Sequence, residues 1–244
     1  MNQDVETFRA LHVPGQPLVL YNIWDAGSAK AVEAAGAPAL ATGSYGVAEA
    51  LGTGDGEKLP LAEVIANLER IVAAVKVPVS LDLESGYGAD PAAVCASVQA
   101  VRDAGAVGIN MEDRLPGEER PLPLVEAAER VAAAAASGLF VNARTDLFRQ
   151  TVIGDALIDD AVARAHAYAE AGAAGLFVPF LADREAVRTI CAASPLPVNV
   201  TAKPELGTVA EIAALGVARI SYGHQPWLWA MQKLTADAEA IYRA

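Results

Sequence analysis

Cysteine is nearly absent from this sequence: Cys95 and Cys191 are the only two in 244 residues. They fall in two different expected helices, where they read as small core residues. Two isolated thiols make neither a disulfide framework nor a zinc cluster. Basic residues are also few, 18 Lys and Arg against 30 Asp and Glu, giving a formal charge of −12. No basic run interrupts that acidity, so a nucleic-acid partner is not expected and an anionic membrane surface is disfavoured. Long apolar runs are missing too. Mean hydropathy is +0.28, yet no window offers the roughly 20 uninterrupted apolar residues that a spanning helix needs. The opening MNQDVETFRALHVPG lacks the basic start and apolar core of a secretory signal, so a soluble cytoplasmic protein is expected. Of the three histidines, His12 and His166 read as structural or exposed. His224, after the last expected strand, is placed for a substrate contact.

What the sequence does have is a repeated unit. Short β-rich runs at 17–23, 39–44, 79–84, 107–113, 140–146, 175–180, 198–203 and 218–223 alternate with alanine-rich stretches of helical periodicity, such as 61–76 and 91–104. The junctions EAAGAPAL, DAGAVGIN, EAGAAGLF and ALGVARIS each end a helix at a glycine and enter a strand within a few residues. Gly36, Gly105, Gly172 and Gly216 suit the left-handed residue that terminates a helix. Eight such units closing on themselves make a (β/α)8 TIM-type barrel. An open doubly wound sheet would want fewer strands and a Gly-rich phosphate turn, and NIWDAGSAK is no such turn. With 53% hydrophobic residues and no linker or shift in composition, residues 1–244 are expected to form one domain.

In a barrel of this type the chemistry sits at the C-terminal ends of the strands. There, SLDLESGYG points Asp82 and Glu84 the same way, and GINMEDR aligns Asn110 with Glu112. VNARTD aligns Asn142, Arg144 and Asp146, and VNVTAK aligns Asn199, Thr201 and Lys203. Inward carboxylates on adjacent strands repel one another unless a cation lies between them. Oxygen donors without His or Cys select Mg²⁺, or Mn²⁺, over zinc. Arg144 either holds a substrate carboxylate bidentately or pairs with Glu112 or Asp146. ATGSYG brings small residues to a strand end where backbone N–H groups can approach an anion. Ser44 has no histidine placed to activate it as a nucleophile. Trp227, Trp229 and Met231 form an apolar stretch for a subunit contact or for internal packing.

The segments NIWDAGSAKAVEAAG, TGSYGVAEALGTGD, SLDLESGYG, INMEDR and NARTD resemble, in order and spacing, the isocitrate lyase/phosphoenolpyruvate mutase superfamily. The resemblance implies Asp82 as the direct Mg²⁺ ligand, with Asp55, Glu84 and Glu112 holding the ion mainly through waters. It implies Gly43, Ser44 and Tyr45 as donors to a 2-oxo acid, and Arg144 on its acid group or leaving fragment. Asn199 joins the substrate-binding set. An eighth helix exchanged between subunits of a homodimer or homotetramer is also implied. The lyase loop motif KKCGH is absent: the corresponding segment reads RLPGEERPLPLVE, which also lacks the lysine and asparagine of the mutases. The chain also ends soon after the eighth helix, where many relatives have a longer tail.

The chemistry expected is Mg²⁺-dependent carbon–carbon cleavage of a small 2-hydroxy or 2-oxo di- or tricarboxylate through an enolate. Tyr45 and Glu112 would handle protons, with Glu118 and Glu119 entering from the loop. One alternative is a phosphoenolpyruvate or phosphonopyruvate mutase or hydrolase, for which the loop offers only Arg114 and Arg120. The other is a catalytically degenerate 2-oxo-acid binder.

Overall fold

The computed structural model describes residues 3–149 and 153–243. In chain order it runs α1 (Gln3–Ala10), β1 (Leu18–Leu20), α2 (Ala26–Ala34), β2 (Leu40–Ala41), α3 (Ser44–Ala50), α4 (Leu61–Ala74), β3 (Val79–Asp82), α5 (Pro91–Asp103) and β4 (Gly108–Glu112). It continues α6 (Leu124–Ala135), β5 (Phe140–Arg144), α7 (Asp155–Glu170), β6 (Gly175–Val178), α8 (Arg184–Ala193), β7 (Val198–Thr201), α9 (Val209–Ala213), β8 (Arg219–Ser221) and α10 (Gln225–Tyr242).

All the strand pairs are parallel, in the order β1-β8-β7-β6-β5-β4-β3-β2. The seam between β1 and β2 is drawn together by a single parallel bridge, Ile23 to Thr42. There the Ile23 N–H donates to the Ala41 carbonyl (2.9 Å) and the Gly43 N–H to the Ile23 carbonyl (3.0 Å). This is the expected (β/α)8 barrel, nearly closed. Gly36, Gly105, Gly172 and Gly216 have φ of 95°, 97°, 94° and 91°, the left-handed conformation that L side chains resist. The strands are shorter than the β-rich runs. The run 39–44 ends early because α3 starts at Ser44, and Glu84, Asp113, Asp146 and Lys203 lie just beyond their ladders.

Alternation divides each strand between two environments. Leu81, Ile109, Met111, Val141, Leu176, Val178, Val200 and Ile220 are buried hydrophobic strand residues on the helix-facing side. The N-terminal mouth is plugged by α1 and the turn after it. Phe8 meets Phe140 edge-on, with ring centroids 5.3 Å apart, and His12 stacks on Phe140 at 4.2 Å. Gly108 permits this plug, since a Cβ there would lie 2.8 Å from the Phe140 carbonyl oxygen and 3.2 Å from the Phe8 ring. Above it, the fully buried Arg219 donates to Asn110 Oδ1 (3.1 Å) and Ser221 Oγ (3.3 Å). Cys95 is exposed rather than in the core, because α5 buries the stripe Val94, Ser97, Val98 and Val101.

Burial, reinforced by the charge of Arg219, pushes the His12 pKa down to about 3; its Nδ1 lies 2.9 Å from the Phe8 carbonyl. An unfolded histidine titrates near ~6.5, so below that pH the unfolded chain takes up a proton that the folded barrel refuses. Stability is therefore expected to fall by up to about 1.4 kcal/mol per pH unit from pH ~6.5 toward pH ~3 on account of this one residue. Urea denaturation of wild type and His12→Asn between those limits measures it. The variant should have the flatter acid limb, and parallel limbs would refute the assignment.

Candidate active site

Asp82 ends β3 with its backbone N–H on Thr42 Oγ1 (2.9 Å), while its Oδ2 accepts the Ser44 N–H (3.1 Å) at the start of α3. Glu84, two residues on, is held by a reciprocal latch between two loops. Its Oε2 accepts the N–H groups of Gly56 and Glu57, both at 2.8 Å, and its Oε1 accepts the Tyr87 hydroxyl (3.1 Å). Glu57 Oε1 in turn accepts the Ser85 hydroxyl (2.6 Å) and the N–H groups of Ser85 (2.9 Å) and Tyr87 (3.1 Å). Glu57, Glu84 and Tyr87 have φ of 55°, 50° and 51°, unfavourable by roughly 1–2 kcal/mol each for L residues. Six hydrogen bonds offset that strain. Latch and strain together fix Glu84 beside Asp82.

The electrostatics of this corner are unbalanced. Burial raises the Asp82 pKa, against the pull of Arg144 and the Ser44 amide, and the charge of Asp55 raises it further. Burial, then Asp55 and Asp82, push Glu84 up to about 7. Among the described residues none of Asp55, Asp82 and Glu84 has a lysine or arginine at ion-pair distance. Two carboxylates disfavoured as anions beside a third, with only oxygen donors, suit a hard divalent cation. No three acidic or histidine groups among the described residues come close enough to enclose an ion directly. The chemistry of the donor set fits a hard divalent cation such as Mg²⁺, which Asp82, Asp55 and Glu84 could hold.

Glu112 stands apart from this trio. Its Oε2 pairs with Arg144 (2.8 Å) and its Oε1 with Arg114 (3.2 Å), and burial still pushes it up to about 8. Arg144 also grips Asp146, through Nε at 2.7 Å and Nη2 at 3.0 Å. Of the two readings of Arg144, the structure shows the ion pair, with both partners at once. Burial alone would raise Asp146, but Arg144 and Arg114 hold it below the usual carboxylate range. Arg114, offered by the sequence for a phosphoryl group, is taken by Asp146 (2.9 Å), Glu112 and the Glu118 carbonyl (3.0 Å). Asp113 faces the other way, accepting from Arg164 (3.0 Å) and the Tyr168 hydroxyl (2.8 Å), which ties β4 to α7.

Above the barrel opens a cavity of about 340 Å³ lined by Gly43, Ser44, Tyr45, Asp55, Asp82 and Arg144. A neighbouring crevice joins Asp55, Glu84 and Glu112 to Glu118 and Glu119. The Gly43 amide is engaged with Ile23, so what glycine supplies there is clearance: a Cβ would sit 3.2 Å from the Gly223 carbonyl oxygen. Asn199 is outside the cavity lining. It is 1% exposed and bonded to Ser221 within the polar layer around Arg219, so it supports the floor without touching the space. His224 does line the cavity, its ring edge-on to Tyr45 at 5.7 Å.

Several contributors were not singled out in the sequence. Asn22 fastens the β8 loop by accepting from Tyr222 (2.9 Å) and Gly223 (2.8 Å). Glu57 and Tyr87 build the latch, and Arg149 and Phe180 line the cavity. The latch left no signal, because left-handed glutamates and tyrosines are not expected from composition. The strand-end position of Lys203 was visible, but its lack of an acidic partner among the described residues was not.

The phosphoenolpyruvate phosphomutase sequence model matches residues 8–242. An uncharacterized protein of Mycobacterium tuberculosis is 36% identical over 236 residues, covering 96% of this chain and 88% of its own. An oxaloacetate decarboxylase of Bradyrhizobium sp. strain BTAi1 is 31% identical over 207 residues, covering 82% of this chain and 69% of its own. Among solved structures, a Burkholderia cenocepacia J2315 protein provisionally called a phosphonomutase superposes with a TM-score of 0.95. It is 48% identical, with 98% of each chain covered.

Proposed function

Because this chain belongs to the phosphoenolpyruvate phosphomutase family, within the phosphoenolpyruvate mutase/isocitrate lyase superfamily, we propose that it is a Mg²⁺-dependent lyase. It breaks a carbon–carbon bond in a small 2-oxo or 2-hydroxy dicarboxylate through an enolate. The observation that carries this reading is the pair Asp82 and Glu84, whose ionised forms burial and the neighbouring charge of Asp55 disfavour, with no basic partner at ion-pair distance from any of the three among the described residues. Bound there, Mg²⁺ would withdraw electron density from the carboxylate and keto oxygens of a 2-oxo acid.

The chain's own groups do the rest. Asp82, oriented by the Ser44 amide, would hold the ion. Glu84, fixed by the latch, and Asp55 would complete the set of oxygen donors around it. When the carbon–carbon bond one atom beyond the keto carbon breaks, its electron pair forms the carbon–carbon double bond of the enolate, the carbonyl π pair moves onto the keto oxygen, and the leaving fragment departs, as carbon dioxide in the simplest case. The Tyr45 hydroxyl, on the same cavity wall, returns a proton to the enolate carbon. Arg144, kept charged by Glu112 and Asp146, faces the acid end of the substrate with a guanidinium already fixed in place. The Bradyrhizobium oxaloacetate decarboxylase supports this choice of reaction.

A second reading, cleavage or migration of a phosphorus–carbon bond, is favoured by the name given to the Burkholderia structure. One experiment separates the two. The protein with Mg²⁺ is offered a panel of 2-oxo and 2-hydroxy diacids, with pyruvate and glyoxylate release followed, and phosphonopyruvate, followed by phosphorus NMR. Diacid turnover with an unchanged phosphorus spectrum is expected, and the reverse pattern would establish the second reading. Oxalate stabilising the protein only with Mg²⁺, and no turnover of either class, would leave a binder. We also propose a homo-oligomer. Only Pro226 of α10 is buried, and Trp229, Leu234, Ile241 and Tyr242 are exposed, as a helix packing on a second copy would leave them. A monomeric mass in solution would refute it. No helix among the described residues is long and apolar enough to cross a membrane.

A further inference from the structure

The wall of the cavity formed after β5, β6 and β7 carries the opposite charge from the Asp82 corner. Lys203, just beyond β7, reaches the Phe180 carbonyl with its ammonium (3.0 Å), and among the described residues no carboxylate pairs with it. In a chain of net charge −12, a half-buried lysine without an acid at ion-pair distance is a charge held for something else. Two more cations lean on the same ring. The Arg149 guanidinium lies 5.3 Å from the Phe180 centroid, that of Arg144 lies 5.5 Å away, and the Lys203 ammonium 6.0 Å. Arg144 is committed to Glu112 and Asp146, whereas among the described residues Arg149 has only Asp146 as an acidic partner, at 3.7 Å. Lys203, Arg149 and Phe180 line the same cavity as Asp82 and Asp55.

We propose that Lys203 and Arg149, seated on Phe180, form a subsite for a second anionic group of the substrate, and that this group is a carboxylate. This rests on the reading of a Mg²⁺-held 2-oxo acid at Asp82 and deepens it: the second acid group of the dicarboxylate is given a place, at Lys203 and Arg149. A phosphonate carries more charge and three acceptor oxygens that require donors on several sides. One side of this subsite is the face of Phe180, which offers none. A planar carboxylate takes Lys203 and Arg149 along its edge and leaves its flat side against the ring.

The test is calorimetric titration in saturating Mg²⁺, with oxalate as the probe of the metal corner alone. Oxaloacetate and 2-oxoglutarate are then compared, by competition with oxalate, against 2-oxobutyrate and 2-oxopentanoate, monoacids of matched length. Wild type is expected to bind at least one diacid about tenfold or more tightly than its matched monoacid, as one charge-assisted contact gives. Lys203→Met keeps the stem over Phe180 and removes the charge; it should abolish that preference while oxalate affinity stays within about twofold. Arg149→Gln should reduce the preference. The inference is overturned if wild type shows no preference, if Lys203→Met retains it, or if phosphonopyruvate loses more than the diacids in that variant. If wild type with Mg²⁺ does not bind oxalate at all, the metal-site reading fails and the subsite falls with it, a result distinct from loss of the preference alone.

Discussion

Asp82→Asn is expected to abolish Mg²⁺-dependent turnover, with a loss of about a thousandfold or more, and to leave the metal-free protein at least as stable as wild type. The two halves come from the same fact. Asp82 is buried where its ionised form is disfavoured, and the hydrogen bond it accepts from Ser44 can be accepted by an amide oxygen. A neutral side chain of the same shape removes the repulsion with Asp55 and Glu84, and with it the carboxylate proposed to hold the ion. Thermal unfolding with and without MgCl₂ and oxalate reads both halves. The wild-type melting temperature should rise only when ion and oxalate are both present, and that of the variant should start equal or higher and not respond. Wild-type activity in Asp82→Asn would remove the metal assignment.

Arg144→Met is expected to have the largest effect on folding. Glu112 and Asp146 lie at 2.8 and 2.7 Å from the guanidinium, with side chains 8% and 0% exposed. Removing one partner from a buried pair costs about 3–5 kcal/mol, because the charge left behind is uncompensated. Arg114 still reaches both acids and holds the loss to the lower end of that range. The combined variant Arg144→Met/Asp146→Asn separates folding from function. It should recover most of the stability, measured by urea denaturation, and none of the oxalate binding. Recovery of binding along with stability would show that Arg144 serves the fold alone.

The barrel was legible in the sequence because its signals are local. Each glycine junction closes a helix by a backbone conformation that other residues resist, and the strand runs are long enough for a period of two to show. The same period identified Asp82, Glu84 and Arg144 as facing the catalytic end. It could not set depth. Asn199 and Thr201 share a face of β7, yet Thr201 lines the cavity and Asn199 is buried below it against Ser221. Charge pairing was equally hidden. Glu112 looked equivalent to Asp82 by position, but two arginines from different segments converge on it. The Glu57–Glu84 latch depends on three left-handed residues, which only the folded chain reveals.

The joint between the first two strands has a bearing on motion. Every other neighbour in the ring shares a ladder, whereas this one rests on the Ile23–Thr42 bridge, the Gly43 amide and the Asn22 side-chain amide, which donates to the Thr42 carbonyl (2.9 Å). Breathing of the barrel should begin there, as at a stave held by a few nails instead of a full row, and two of the residues that tie it, Asn22 and Gly43, are part of the cavity wall. A ligand spanning that wall would act as a hoop, so that occupancy tightens the whole cylinder from its weakest edge.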